Sequence, residues 1–360
     1  MRLHLFRTFG WTMTILATAS AAAQEFTISL RHQNQTLVGM PVHWDSQVIQ
    51  FLGRDGALWQ FSPDSVSDVK KVSDGFSSLT QSELKSQLVE EFGKSFDVSG
   101  TGTYLVVHPV GQRDLWAPRF EDLYRSMVHY FTARRVSMEK PKFPLIAVVL
   151  PSQSQFINYA RQLGINDIDG STKGLYHIAS NRILVFDNGD SQGGSDWQMN
   201  YSVVIHEAAH QTAYNTGIHN RFGTTPAWVA EGIGTVFEAP GVYDPRRYPQ
   251  QSDRINRYRF EMFRQQLPSR PAETLSFLIR SDKLFDLNWQ VAYANAWALT
   301  FYLTDREPAK YAEYLRNVTN RAPDDQYTPD QRLADFQQVF GSDLKMFDVR
   351  LVRFIESLSP

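Results

Sequence analysis

Val203-Val204-Ile205-His206-Glu207-Ala208-Ala209-His210-Gln211 is an apolar run broken by His-Glu-x-x-His. In a helix, residues four apart stand on one face about one turn along, so His206 and His210 can offer imidazole nitrogens to a single ion. Glu207 is rotated about 100° from His206 and cannot easily ligate with the two histidines, but it can hold a water beside the ion and accept its proton. Both flanks read as helix. Ser195-Asp196-Trp197-Gln198 is a candidate capping box, Val203, Val204, Ile205, Ala208 and Ala209 supply apolar positions, and Asn215-Thr216-Gly217 reads as a stop. The spacing predicts a half-buried helix with the motif in its middle. The competing reading is a pair of hydrogen-bonded core or surface histidines, and the rest of the chain has to decide against it.

Two imidazoles leave a zinc ion short of ligands. The metzincin pattern would place Gly at 213 and His at 216, where this chain has Ala213 and Thr216. A better third ligand is Glu231, inside Trp228-Val229-Ala230-Glu231-Gly232. Thr225-Pro226 reads as a cap followed by proline at the first helical position, and Ala239-Pro240-Gly241 ends the run. That puts Glu231 mid-way along a second short helix, where its carboxylate can complete a two-histidine, one-glutamate set. Glu238, seven residues on, falls on the same face, and two readings are open for it: orienting a ligand histidine, or a surface or packing role.

The two motifs together resemble the gluzincin peptidases, which include thermolysin-like and aminopeptidase N-like enzymes, whose His-Glu-x-x-His helix precedes a helix bearing a third-ligand glutamate. Thr103-Tyr104-Leu105-Val106-Val107, Phe120-Glu121-Asp122-Leu123-Tyr124, Tyr130-Phe131, Asn181-Arg182 and His206 to Gln211 are further similar to an exported bacterial gluzincin-like family known only as a domain of unknown function. The resemblance implies one Zn2+ held by His206, His210 and Glu231, Glu207 as general base, and a peptide or protein substrate. It also calls for a donor to the oxyanion from the helical half, and Tyr293, opening Tyr293-Ala294-Asn295-Ala296-Trp297, is the candidate. A half-buried core tyrosine is the competing reading there. His219, in the loop Gly217-Ile218-His219-Asn220, is a weaker rival, expected to be exposed. The chain lacks the Gly-x-Met-Glu-Asn motif with which aminopeptidase N-like enzymes hold a free amino terminus, which favours an endopeptidase. The alternatives are a zinc-bearing scaffold that has lost turnover, and a zinc amidase acting on cell-wall material.

The chain has 360 residues, 42% of them hydrophobic and 13% aromatic, enough for a large core and more than one unit. It has no cysteine, which excludes thiolate metal sites, a cysteine nucleophile and lipid attachment at a lipobox. Arg2 and Arg7 precede an apolar run from Phe9 to Ala19, and Ala21-Ala22-Ala23 satisfies the small-x-small cleavage rule. This reads as a signal peptide, and it implies a periplasmic or extracellular protein. No later segment is long and apolar enough to span a membrane. Removing Arg2 and Arg7 with residues 1–23 takes the formal charge from −2 to −4, a mild value that argues against a nucleic-acid partner.

The expected fold is α+β: a small N-terminal β module, then a gluzincin-like catalytic domain with a mixed-sheet α/β half and a C-terminal all-helical half. Residues 1–23 are the signal peptide, and 24–78 the β-rich module, with alternating runs at Phe26–Leu30, Thr36–Met40, Val48–Leu52 and Leu58–Phe61 and a hairpin turn at Asp55-Gly56. Packing or accessory binding, or an inhibitory pro-region, are its open roles. Residues 79–215 form the α/β half. Its expected helices are Gln81–Phe92, Trp116–Arg134 and Ser152–Leu163, its strands Tyr104–His108 and Leu145–Leu150, and a hairpin joins 174–178 to 182–186 ahead of the motif helix. The resemblance implies that an edge strand there pairs with extended substrate. Residues 216–360 form the helical half carrying the third ligand. Its expected helices are Asp253–Gln266, Trp289–Leu303, Pro308–Val318, Pro329–Val339 and Ser342–Ser357, with a solvated turn at Arg321–Asp330.

Overall fold

Period-two alternation makes the first layer. In the computed structural model, which describes residues 25–187, 195–323 and 325–359, strands β1 (Thr27–His32), β2 (Gln35–Trp44), β3 (Ile49–Gly53), β4 (Leu58–Phe61) and β5 (Val66–Ser73) form an antiparallel sheet in the order β4-β3-β2-β1-β5. Ile28, Leu30, Ile49, Phe51 and Phe61 make its small core. The Asp55-Gly56 turn closes the β3–β4 hairpin, with Gly56 at φ 88°, a conformation that suits glycine.

The second sheet runs β6 (Phe96–Gly100), β7 (Tyr104–Pro109), β8 (Leu145–Leu150), β10 (Arg182–Phe186) and β9 (Gly174–His177) across its width. It is mixed: β7, β8 and β10 are parallel, and β6 and β9 are antiparallel edges. Leu145-Ile146-Ala147-Val148-Val149-Leu150 is apolar at every position because this central strand is covered on both faces. Ile146, Val148 and Leu150 face α1 (Gln81–Phe92) and α3 (Gln153–Gln162), whereas Leu145, Ala147 and Val149 face α2 (Arg113–Ala133) and α4 (Ser195–Asn215).

Nine helices follow α4 among the described residues: α5 (Ala227–Phe237), α6 (Pro240–Tyr243), α7 (Arg257–Gln266), α8 (Thr274–Arg280), α9 (Lys283–Leu287), α10 (Trp289–Arg306), α11 (Pro308–Thr319), α12 (Pro329–Phe340) and α13 (Leu344–Glu356). The centre of this half is α10, whose Ala292, Ala294, Ala296 and Ala298 are small enough to let neighbours approach closely. The sheet face behind α4 and the helical half share one continuous core. The α+β architecture is thus a small β sheet, a mixed α/β layer and a helical half. No helix among the described residues is long and apolar enough to cross a membrane. The signal-peptide segment lies outside the described residues, as do the side chains of the capping box at 195–198.

Several local expectations change. Strands β5 and β6 and helices α8 and α9 were not foreseen, being short or carrying exposed polar residues. The helix expected from Asp253 breaks at Asn256, which adopts an extended conformation and caps α7 by accepting from the Arg259 N–H. Thr225 does not cap α5: Pro226 occupies the cap position, and the Ala227 N–H donates to Asp282 instead, at 2.9 Å. The turn at 321–330 is not merely solvated. Tyr327 is buried there beneath the Arg321 guanidinium, which also pairs with Asp325 and Asp335.

Candidate metal centre

Helix α4 carries His206, Glu207 and His210, and its C-terminal half is pinned to the sheet behind it. The Gln211 amide, fully buried, donates to the backbone carbonyls of Ile146 and Asn181 at 2.9 and 2.8 Å, and Asn215 donates to the Asn181 side chain. Each bond satisfies a carbonyl or amide that would otherwise be desolvated at a cost of about 1–3 kcal/mol. Helix α5 crosses in front with Glu231. Its apolar face is anchored by Trp228, which stacks on Tyr314 and meets Phe336 edge-on. Full burial of a side chain of this size contributes roughly 2–3 kcal/mol or more.

Two glycines set how closely α5 approaches its neighbours. A Cβ on Gly232 would lie 2.1 Å from Thr300 Oγ1 and 2.8 Å from the Ala296 carbonyl oxygen of α10. A Cβ on Gly234 would lie 2.6 Å from Cε1 of His206. The glycines therefore permit close α5–α10 contact and seat the His206 ring on the α5 backbone. Sequence reasoning took Gly232 only as part of the Trp228–Gly232 motif and passed over Gly234, although glycines inside a helix cost about 1 kcal/mol each relative to alanine and so mark close approach.

The structure brings His206, His210 and Glu231 together, with one candidate ligand atom from each lying within 4.8 Å of the other two. His206 Nε2 is 3.0 Å from His210 Nε2 and 3.1 Å from Glu231 Oε2, and His210 Nε2 is 3.7 Å from the same oxygen. A tetrahedral zinc with bonds of about 2.0–2.1 Å spaces its ligand atoms roughly 3.3 Å apart, so this donor triangle fits the ion in both size and chemistry. On the other side of the ring, His206 Nδ1 is 2.9 Å from Glu238 Oε1, and Asn256 holds Glu238 Oε2 at 2.8 Å. Glu238 thus contacts the His206 ring directly, as the orienting reading of it requires. In the neutral tautomer that donates Nδ1–H to this carboxylate, the Nε2 lone pair would face Glu231 and His210. His210 Nδ1 is buried with no hydrogen-bond partner among the described residues.

Charge reinforces the arrangement. Burial opposes the charged form of His206, but hydrogen bonds to Glu231 and Glu238 outweigh it and hold the imidazole well above its ordinary range. Burial likewise works against Glu231, and the positive character of His210 together with bonds from both histidines keeps its carboxyl well below the usual range. Glu207, which follows His206 in the chain, has its Oε2 accepting from the Tyr176 backbone N–H of β9 at 2.7 Å. Tyr293, on the first turn of α10, approaches from the helical side. Its ring centroid is 6.4 Å from that of His206, with the Glu231 carboxylate close enough to act on the phenol. Burial and the negative charges of Glu231 and Glu207 raise the pKa of this phenol, so it remains a proton-bearing donor at neutral pH. The Arg259 guanidinium packs 4.8 Å from the Tyr293 ring centroid.

His219 is not the exposed loop histidine expected. It is buried against Tyr214, neither ring nitrogen has a hydrogen-bond partner among the described residues, and burial pushes its pKa down to about 3.

A family profile described as a protein of unknown function, DUF1570, matches residues 200–325. The matched stretch contains His206, Glu207, His210, Glu231 and Tyr293. No curated protein matches. Among solved structures the chain is similar to an M1 zinc metallopeptidase from Deinococcus radiodurans, with 14% identity over 73% of this chain and 52% of that one and a TM-score of 0.38. It is also similar to a mutant of that enzyme bound to a Tyr-Ser-Ala substrate, at 12% identity over 73% and 52% of the two chains and a TM-score of 0.39. The chain spans about half the length of these structures.

Proposed function

We propose that this chain is a zinc-dependent peptidase of the gluzincin type, exported, and acting within peptide chains. The observation that carries the proposal is the donor triangle of His206, His210 and Glu231, with Glu207 following His206 in the chain and His206 oriented by Glu238. A structural histidine pair has no need of a carboxylate as a third group aimed at the same point, nor of a second acid following the first histidine.

His206, His210 and Glu231 would hold one zinc ion, which when bound supplies Lewis acidity toward a carbonyl and lowers the pKa of water toward ~7. Glu207 takes the proton of the attacking water and returns it to the leaving amine. Tyr293 donates its hydroxyl proton in a hydrogen bond to the carbonyl oxygen as that oxygen gains charge. Strand β9 is the last of its sheet, and apart from the Tyr176 N–H, which Glu207 engages, its outer edge would offer backbone groups to an extended chain. No Gly-x-Met-Glu-Asn motif is present to fix a free amino terminus, which supports internal cleavage.

The test is to purify the chain without residues 1–23, measure bound metal, and incubate wild type and Glu207→Gln with a peptide library at equal zinc occupancy. Cleavage by wild type alone supports the peptidase. Full zinc occupancy with no cleavage by either protein would move the reading to a zinc-bearing scaffold.

A further inference from the structure

Three turns far apart in sequence meet at one buried arginine. Arg221 lies in the loop after α4 and is 7% exposed. Its Nη2 donates to the carbonyl of Gly56 at 2.6 Å and to that of Ile178 at 2.8 Å, and its Nε donates to Ile178 again at 3.2 Å. Gly56 belongs to the β3–β4 turn of the N-terminal sheet, and Ile178 opens the tip of the β9–β10 hairpin. A buried guanidinium is costly unless its donors are used, and here they are used on backbone, which fixes the position of both turns.

Other contacts close the same junction. The Leu58 N–H of β4 donates to the Ala179 carbonyl at 2.7 Å. Asn181 sits at the hairpin tip with φ 58°, and its side chain exchanges hydrogen bonds with Asn215 of α4. Gly56 leaves little room for a larger residue, since a Cβ there would lie 3.0 Å from the Phe143 ring and 3.4 Å from the Asn181 amide. The hairpin matters because β9 has only four residues and one strand partner. On its other side, the Tyr176 N–H donates to Glu207 Oε2, and Tyr176 stacks on Tyr214 of α4.

We propose that Arg221 is a positioning residue that fastens the N-terminal sheet to the β9–β10 hairpin and thereby holds the Tyr176 N–H against Glu207. The N-terminal sheet is then a built part of the site, and neither a detachable pro-region nor a passenger. The proposal rests on the reading of Glu207 as the proton carrier, but its test does not require turnover.

Amide hydrogen exchange of the full chain, metal-loaded, reads the effect directly. In Arg221→Met, amides of 174–186 should exchange about tenfold faster or more, the factor that losing one charged-donor hydrogen bond produces, with β7, β8 and α10 unchanged and zinc content intact. Arg221→Lys, which keeps a charged donor, should restore part of the protection. Glu207→Ala should speed exchange at Tyr176 alone, and combining it with Arg221→Met should add nothing further at Tyr176. Additive effects at Tyr176, or an unchanged hairpin, would overturn the proposal, because Arg221 would then be an ordinary structural stitch. Should Arg221→Met fail to fold, Gly56→Ala keeps the guanidinium while straining the turn it holds, where φ is 88° and a methyl would press on Phe143 and Asn181. The same hairpin-confined loosening is expected, and its absence would equally overturn the proposal. Absence of cleavage by the wild-type chain in a library assay, with the hairpin exchange pattern as expected here, would count against the peptidase reading and leave the role of Arg221 standing.

Discussion

Gly234→Ala separates packing at the metal centre from helix stability. Alanine is the better helix former by about 1 kcal/mol, so in open surroundings the substitution would stabilise α5. Here the new methyl would sit 2.6 Å from His206 Cε1 and 2.9 Å from both ring nitrogens, whereas ordinary contact begins near 3.4 Å. The ring or the helix must therefore give way by about 0.8 Å. The ring is not a flexible tip: its Nδ1 is bonded to Glu238 and its backbone is locked in α4. Overpacking of this kind costs about 1–3 kcal/mol, which the propensity gain offsets in part, so the metal-free fold should lose no more than about 2 kcal/mol. Zinc is less forgiving, because its ligand distances tolerate only about ±0.2 Å. We expect zinc affinity to fall at least about 100-fold, beyond the 10–100-fold typical for losing a partner of a ligand. The assay is competitive chelator titration alongside thermal unfolding of the metal-free protein. Wild-type zinc affinity in Gly234→Ala would refute the reasoning, since it would mean that His206 is not held where the ion binds.

Three other outcomes follow from the same geometry. Glu238→Ala leaves His206 Nδ1 without its acceptor and should weaken zinc binding about 10–100-fold, measured by the same titration. Gly232→Ala pushes a methyl into Thr300 and the α10 backbone and should destabilise the fold by about 1–3 kcal/mol in denaturant unfolding, with a smaller effect on zinc affinity than Gly234→Ala. Because hydrogen bonds to Glu231 and Glu238 hold the His206 imidazole above its ordinary range in the metal-free protein, zinc uptake should displace a proton from it. Calorimetry in buffers of different ionisation enthalpy should detect the release, and apparent affinity should keep rising with pH above 6.5 instead of levelling there.

Much of the framework was legible because it is local. Four-residue spacing puts His206 and His210 on one face whatever surrounds them, and Gly217, at φ 79°, follows the motif helix where the stop signal stood. The uninterrupted apolar run of β8 and the alternation of β1 to β4 likewise need only their own neighbours. Strand β5 was missed because it is an exposed edge whose pattern owes nothing to a core, and the cap of α5 was misassigned because its donor goes to Asp282, fifty-five residues away.

The sequence by itself determined the motif helix, a second helix with Glu231 mid-way along it, the absence of thiolate ligands, and the order of sheet and helices. Only the tertiary structure decided that Glu238 orients His206, that Gly234 makes room for its ring, that His219 is buried, and that Arg221 joins the first sheet to the strand facing Glu207. The division has a physical cause. Helical and strand periodicity follow from backbone geometry and are written in adjacent residues, whereas a carboxylate opposite an imidazole 32 residues away, or an arginine joined to a turn 165 residues away, depends on which surfaces pack together.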